Sequence, residues 1–391
     1  MSKMKKVSIP IVLLISWILF LPLNSILVSA ETAIDVSGLF DGIKDALESL
    51  NLTELEAYFN QTSFSDIDLK TRLLEYIKGG EVEYENIFKQ ILSLFFAEIV
   101  ELLPIFSTIT AVALLCGILS EMQATALHKQ LNCIIEVIAF SITLIPILQI
   151  FSKCFLATEE CITQMQTQME IIFPILLTLL AASGGSVSVA ICKPSVAFLS
   201  TTMVSLISKI ILPITLLLFS FSMVNRFSNE FKIGKFIAFF KNINKWLIGI
   251  AVSIFGLFFT VQGITSVTYD GIARRAAKYA IGNGVPIIGG FLSGGFDLAI
   301  AGSILIKNSL GYLGVLLMIS SIFEPILLLC SVNILLKFCS AITSPFSDSK
   351  ISDFLSDTAD ALNYLNASIL FTAFLYLLSI VIFISCAGAF F

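Results

Sequence analysis

Residues 366–391 read NASILFTAFLYLLSIVIFISCAGAFF, a run without Asp, Glu, Lys or Arg. It exceeds the roughly 20 apolar residues that carry a helix across a bilayer. Working back toward the N-terminus, runs of similar character lie near 102–120, 131–151, 171–192, 196–224, 246–268 and 311–338, with a shorter one from 285 to 306. Hydrocarbon supplies no water to backbone N–H and C=O groups, so such runs must satisfy themselves as helices. The expected fold class is an all-α polytopic membrane protein with six to eight transmembrane or re-entrant helices.

Composition leads to the same place. Hydrophobic residues make up 57% and charged residues 13% of the 391, where an ordinary soluble domain carries about 25% charged residues. The start has the parts of an export signal: Lys3, Lys5 and Lys6, the apolar run Ile9 to Leu23, then Val28-Ser29-Ala30 before Glu31. Small residues at these places suit cleavage between Ala30 and Glu31, giving a signal peptide over 1–30 and an extracytoplasmic mature N-terminus; an uncleaved anchor is the alternative. Without the three signal lysines the balance is 20 basic against 28 acidic residues, which speaks against nucleic-acid binding.

Residues 31–86 form the long polar stretch, with thirteen Asp or Glu against Lys44, Lys70, Arg72 and Lys78. Leu39, Ile43, Leu47 and Leu50 share a helical face, and Thr53-x-x-Glu56 has the form of a capping box. An acidic extracytoplasmic helical segment is expected here, or else a flexible tether; the membrane domain follows over 87–391.

Pro-Ile recurs inside or beside the runs at Pro104, Pro146, Pro174, Pro213, Pro286 and Pro325. Pro174 and Pro213 are 39 residues apart, as are Pro286 and Pro325, and Ser183-Gly184-Gly185 and Ser293-Gly294-Gly295 follow the first member of each pair. A duplicated unit, 171–268 repeated as 285–391, is one reading, since broken segments at corresponding positions build the sites of many transporters; common use of Pro and Gly in membrane helices is the other. If both Ser-Gly-Gly segments are re-entrant, the basic stretch 225–245 faces the cytoplasm and six spans remain. Pro286, Gly289, Gly290, Gly294 and Gly295 are the candidates for a close-packed or re-entrant element, Gly290 and Gly294 having small-xxx-small spacing.

The stretch from Asp270 to Gly311 is the most distinctive. Asp270-Gly271, Arg275 with Lys278-Tyr279, Val285-Pro286 with Gly289, Asp297, and Lys307-Asn308 with Gly311, together with the signal, acidic segment and multi-span layout, resemble the stage III sporulation protein AE family. Ser293-Gly294-Gly295 departs from the Ser-Asp-type sequence of that family. The resemblance implies a subunit of a mother-cell to forespore channel or secretion-like complex, in the mother-cell membrane surrounding the forespore, that supports the late forespore sigma factor. It implies as partners the sibling operon products AA to AH, including an ATPase and a ring-forming subunit, and the forespore protein Q across the intermembrane space.

Enzyme chemistry finds no footing. His128 is the one histidine, so neither a His-based metal cluster nor a Ser-His-Asp triad assembles, and no phosphate loop is present. No catalytic residue, metal or cofactor is expected. The eight cysteines lack a Cys-x-x-Cys pair and read as buried free thiols, with a Cys154–Cys161 bridge as the minority alternative. Charges within or near apolar runs are costly unless paired, which singles out Glu98, Glu101, Glu136, Lys209 and Glu324. Lys209 and Glu324 precede Pro213 and Pro325, so an ion pair between them is an expectation, and a secondary transporter for a small solute or protons is the alternative function.

Overall fold

The computed structural model describes residues 52–59, 69, 73, 84–122, 129–183, 185–197, 202, 204–227, 233–257, 289–345 and 349–385. The signal segment and much of 31–86 lie outside the described residues. Those described are helical apart from short connections: α1 (Thr53–Phe59), α2 (Tyr84–Met122), α3 (Lys129–Ala182), α4 (Ser186–Ala197), α5, α6 (Gly234–Leu257), α7 (Gly289–Thr343) and α8 (Ser349–Ser385). Helix α5 runs from Val204–Leu206 through a π-helical turn, Ile207–Ile211, into Leu212–Phe227. Six of these, α2, α3, α5, α6, α7 and α8, contain stretches long and apolar enough to cross a membrane.

Two expectations change in detail. The runs 131–151 and 171–192 suggest separate spans, yet α3 carries most of both on one helix of 54 residues, about 81 Å long. Likewise 285–306 and 311–338 join in α7, 55 residues. The chain between the two runs of α3 is amphipathic rather than helix-breaking: Cys154, Thr158, Cys161, Ile162, Met165 and Met169 point inward while Lys153, Glu159, Glu160, Thr163 and Glu170 are exposed, which is the spacing of a helix with one buried face. Helices α2, α3 and α7 continue through Pro104, Pro146, Pro174 and Pro325.

The two Ser-Gly-Gly segments are not equivalent. At the first, the Gly185 N–H donates to the Leu180 carbonyl at 2.9 Å and the Gly185 carbonyl accepts the Val189 N–H at 2.9 Å. The former bond closes a helix C-terminus and the latter opens the next helix, so α3 ends and α4 begins within three residues. Ser293-Gly294-Gly295 instead lies inside continuous α7. Gly289 and Gly290 begin α7, and Pro286 precedes the described part. The two glycine-rich segments thus differ in structure: the first separates two helices, and the second lies within one. Helix α4, with 12 residues and a length of about 18 Å, is too short to cross a bilayer.

Contacts fix the sense of the bundle. Helices α3 and α8 run parallel: Phe140 meets Phe354 at 5.2 Å near one end, and Phe173 meets Tyr376 at 5.6 Å and Phe383 at 5.4 Å further along. Helix α7 runs against both, since Cys161 Sγ bonds the Ser321 carbonyl and Lys307 reaches Ile384. Helix α8 is central, packed on α7, α3 and α5. In lipid the solvent is as apolar as these side chains, so interdigitation rather than hydrophobic transfer holds such helices together. Stacking of Phe151 on Phe219 at 3.8 Å, with Phe354 beside Phe219, shows that fit among α3, α5 and α8. Hydroxyls in the bundle turn back onto their own helix, as in Thr215 to Ile211, Thr372 to Ser368 and Ser379 to Leu375, leaving the donors satisfied.

Candidate functional site

Exposed large apolar side chains mark where lipid meets the bundle. They run from Val137 to Leu156 on α3 and from Ile319 to Phe338 on α7, each about 29 Å along the helix, close to the hydrocarbon thickness of a bilayer. Helices α2, α5 and α6 add Leu92 to Ile118, Ile210 to Val224 and Phe236 to Leu257. Beyond Leu156 the outward face of α3 turns polar.

At one end of this belt α8 meets the α5–α6 hairpin through ions. Arg226, in the last turn of α5, donates to Asp353 at 2.8 Å and to Asp357 at 3.1 Å. Lys241 of α6 donates to Asp357 at 3.2 Å and Asp360 at 3.3 Å. The Tyr364 hydroxyl donates to the Lys241 carbonyl at 3.3 Å, and Asn244 donates to Thr215 between α6 and α5 at 2.9 Å. Asp357 is the hub, 17% exposed and shared by both cations. Three carboxylates facing two cations leave one net negative charge. Asn333 of α7 joins the same end of α8, donating to the Ala359 carbonyl and the Asn363 side chain.

A second polar feature sits at the other end of α8. Lys307 of α7 is 0% exposed, and its Nζ donates to the Ile384 carbonyl at 3.1 Å. The last carbonyls of a helix lack intrahelical donors and carry partial negative charge, so a cation there is favourable. One turn on, Gly311 brings α7 so close that an added Cβ would lie 2.7 Å from Ile384 Cδ1. At Gly314 a Cβ would meet Ile380 at 2.9 Å and Ile172 at 3.4 Å. Lys307, Gly311 and Gly314 therefore form one face of α7.

Between these lies a buried amide. Gln168 Nε2 donates to Ser321 Oγ at 2.7 Å, the Tyr58 hydroxyl at 2.9 Å and the Leu317 carbonyl at 3.3 Å. Tyr58 belongs to α1, whose Leu55 and Phe59 are buried in the same core as the bundle. This part of the acidic segment is thus seated on α3.

The expected intramembrane charges meet a different fate. Glu98 is half-buried and Glu101 exposed on α2, Lys209 is exposed on the π-helical turn, and Glu324 is exposed on α7. Among the described residues no ion pair joins Lys209 to Glu324. The side chains of Glu136 and of residues 289–299 lie outside the described residues, as do residues 270–286 and the Ala30–Glu31 junction. Cys154, Cys161, Cys192 and Cys339 are buried and outside any disulfide among the described residues. Cys154 and Cys161, two turns apart on α3 and about 10 Å distant, cannot bridge.

Asp353, Asp357 and Asp360 escaped the sequence reading, although their i, i+4, i+7 spacing is that of one helical face. Arg226 and Lys241 read in the sequence as parts of a basic loop over 225–245; helices α5 and α6 extend into it from both sides.

Comparison with known proteins gives a consistent result. A family model described as "Stage III sporulation protein AE" matches residues 67–387. The curated "Stage III sporulation protein AE" of Bacillus subtilis (strain 168) is 27% identical over 320 residues, covering 82% of this chain and 80% of that protein. No solved structure matches.

Proposed function

Because the chain belongs to the stage III sporulation protein AE family, we propose that it is the membrane subunit of a channel or secretion-like complex between mother cell and forespore. It sits in the mother-cell membrane around the forespore and is required for late forespore sigma-factor activity. The observation that carries this reading is the family match, which spans the six membrane-crossing helices and reaches into the acidic segment. The sibling operon products, among them the ATPase and the ring-forming subunit, and forespore protein Q are the partners.

The bundle supports an orientation. Arg226, Lys235, Lys241 and Lys245 gather where α5 ends and α6 begins, so this end faces the mother-cell cytoplasm by the positive-inside tendency. Helix α1, seated at the other edge of the apolar belt, then faces the intermembrane space. There the acidic segment is available to a partner. The transporter alternative draws less support, since the two Ser-Gly-Gly segments differ and no Lys209–Glu324 pair is made among the described residues.

Deletion of the gene in its host, followed with a late forespore sigma reporter, tests the reading. Engulfment is expected to complete, the reporter to stay dark and vegetative growth to be normal. A normal reporter together with a solute-dependent growth defect would favour transport.

A further inference from the structure

Inside the apolar belt α8 carries a polar face. Asp353, Ser356, Asp357, Asp360, Asn363 and Tyr364 recur at the spacing that places them on one side of the helix. Two contacts fix where that side begins. Phe354 meets Phe140, beside Val137 and Ile138, the first large lipid-facing residues of α3; the Ser340 hydroxyl donates to the Ser352 carbonyl at 2.8 Å, just past Phe338, the last of α7. Asp353 is therefore level with the edge of the belt. Asn363 lies well within it, because Asn333, which donates to it at 3.1 Å, adjoins Ile334, 52% exposed on the lipid side. On α6 the outward-facing Phe239 and Trp246 flank Lys241 in the same way. From Asp353 to Tyr364 the polar face runs about 17 Å, a little over half of the hydrocarbon core. Beyond it the same side of α8 turns apolar, with Ala367, Leu370 and Phe374.

Neighbouring helices do not seal this face. The side chains of Asp353 and Asp360 stay 44% and 48% exposed although Arg226 and Lys241 pair with them, and Ser356 and Asn363 are exposed too. Ionised carboxylates against hydrocarbon are costly, and at membrane depth such groups face protein or water. Lys337 on α7 and Lys245 on α6, each four residues on from Asn333 and Lys241, are also exposed. The surroundings thus carry both signs of charge, which suits water and small hydrated solutes rather than ions of one sign. We propose that α8 lines a blind aqueous inlet, open at the Asp353 end of the bundle and closed near Ala367, that brings water about halfway into the membrane. The inference stands apart from the sporulation reading, since it concerns this chain without its partners.

The test uses the full chain in lipid nanodiscs, with Ser356→Cys near the mouth, Asn363→Cys near the closed end and Ile334→Cys at the depth of Asn363 but facing lipid. Asn333 keeps the Ala359 carbonyl as a partner when Asn363 is replaced. Labelling by a hydrophilic maleimide is counted above that of the chain carrying only its own cysteines. The thiolate is the reactive form and needs water around it, so Ser356→Cys and Asn363→Cys are expected to label about tenfold faster than Ile334→Cys. Asp360→Leu, an apolar side chain set between the two positions, is expected to slow labelling at 363 about tenfold and to leave 356 unchanged. Labelling at 363 no faster than at 334 overturns the inlet, whether both are slow, because lipid or a second copy covers the face, or both are fast, because the belt itself is wet. Labelling at 363 that Asp360→Leu leaves fast overturns the path along α8.

Discussion

Leucine in place of Gly311 is expected to prise α7 from α8, leaving a chain that inserts into the membrane but unfolds well below the parent and supports no spore development. An added Cβ alone would stand 2.7 and 2.8 Å from two atoms of Ile384 and 3.4 Å from Ile380. The first two can yield, being side-chain atoms, so Gly311→Ala is expected to be mild and partly offset by alanine's better helix propensity, about 1 kcal/mol. Leucine adds three further carbons to a contact already closed, and overpacking of this kind typically costs about 1–3 kcal/mol or more. Gly249→Leu supplies the contrast, because nothing lies within 4 Å of a Cβ there. Thermal unfolding of the three variants in the same detergent checks the order: Gly311→Leu lowest, with Gly311→Ala and Gly249→Leu near the parent. A Gly311→Leu chain as stable as the parent would show that the close approach of α7 and α8 is not needed.

Loss of the Lys307 charge is the second large effect. Lys307→Met keeps the unbranched apolar stem, one atom short of the lysine, while removing the ammonium group from the Ile384 carbonyl. Hydrogen bonds involving a charged group contribute about 1.5–3 kcal/mol, so destabilisation of that order is expected, concentrated at the C-terminal turns of α8. Lys307→Glu goes further, placing a negative charge against the negative end of a helix. Amide hydrogen exchange resolved along α8 reads both: faster exchange toward Ser385, with the segment near Asp357 little changed. Uniform acceleration along the helix, or none, would contradict a local role for Lys307. Because Lys307 and Gly311 meet the same Ile384, their effects should fall short of additive.

The apolar runs carried the fold class, since every one of them had to be a helix in a bilayer. Their joining did not show in the sequence. Pro146 and Pro174 lie in apolar runs, where neighbouring helices tolerate the lost bond, and the polar residues between 152 and 170 mark one face of α3 rather than a loop. The motif ending in Lys307-Asn308 and Gly311 was visible as a resemblance; its physical content, a lysine on a helix terminus and a glycine at a close crossing, depends on Ile384, far along the chain. The ion cluster around Asp357 was hidden for a similar reason. Asp353, Asp357 and Asp360 have legible helical spacing, but Arg226 and Lys241 reach them only through the packing of α5 on α8. Lys209 and Glu324 failed in the opposite way, because matching distances to a proline said nothing about which helices are neighbours.

The reading of this chain as a complex subunit is tested most directly by recovering the tagged full-length protein from sporulating cells as engulfment completes and identifying what comes with it. The account predicts co-purification of the sibling operon products, the ATPase and ring-forming subunit among them, and loss of those partners from the Gly311→Leu chain. Recovery of the intact protein alone, from cells in which those siblings are demonstrably present, would contradict it.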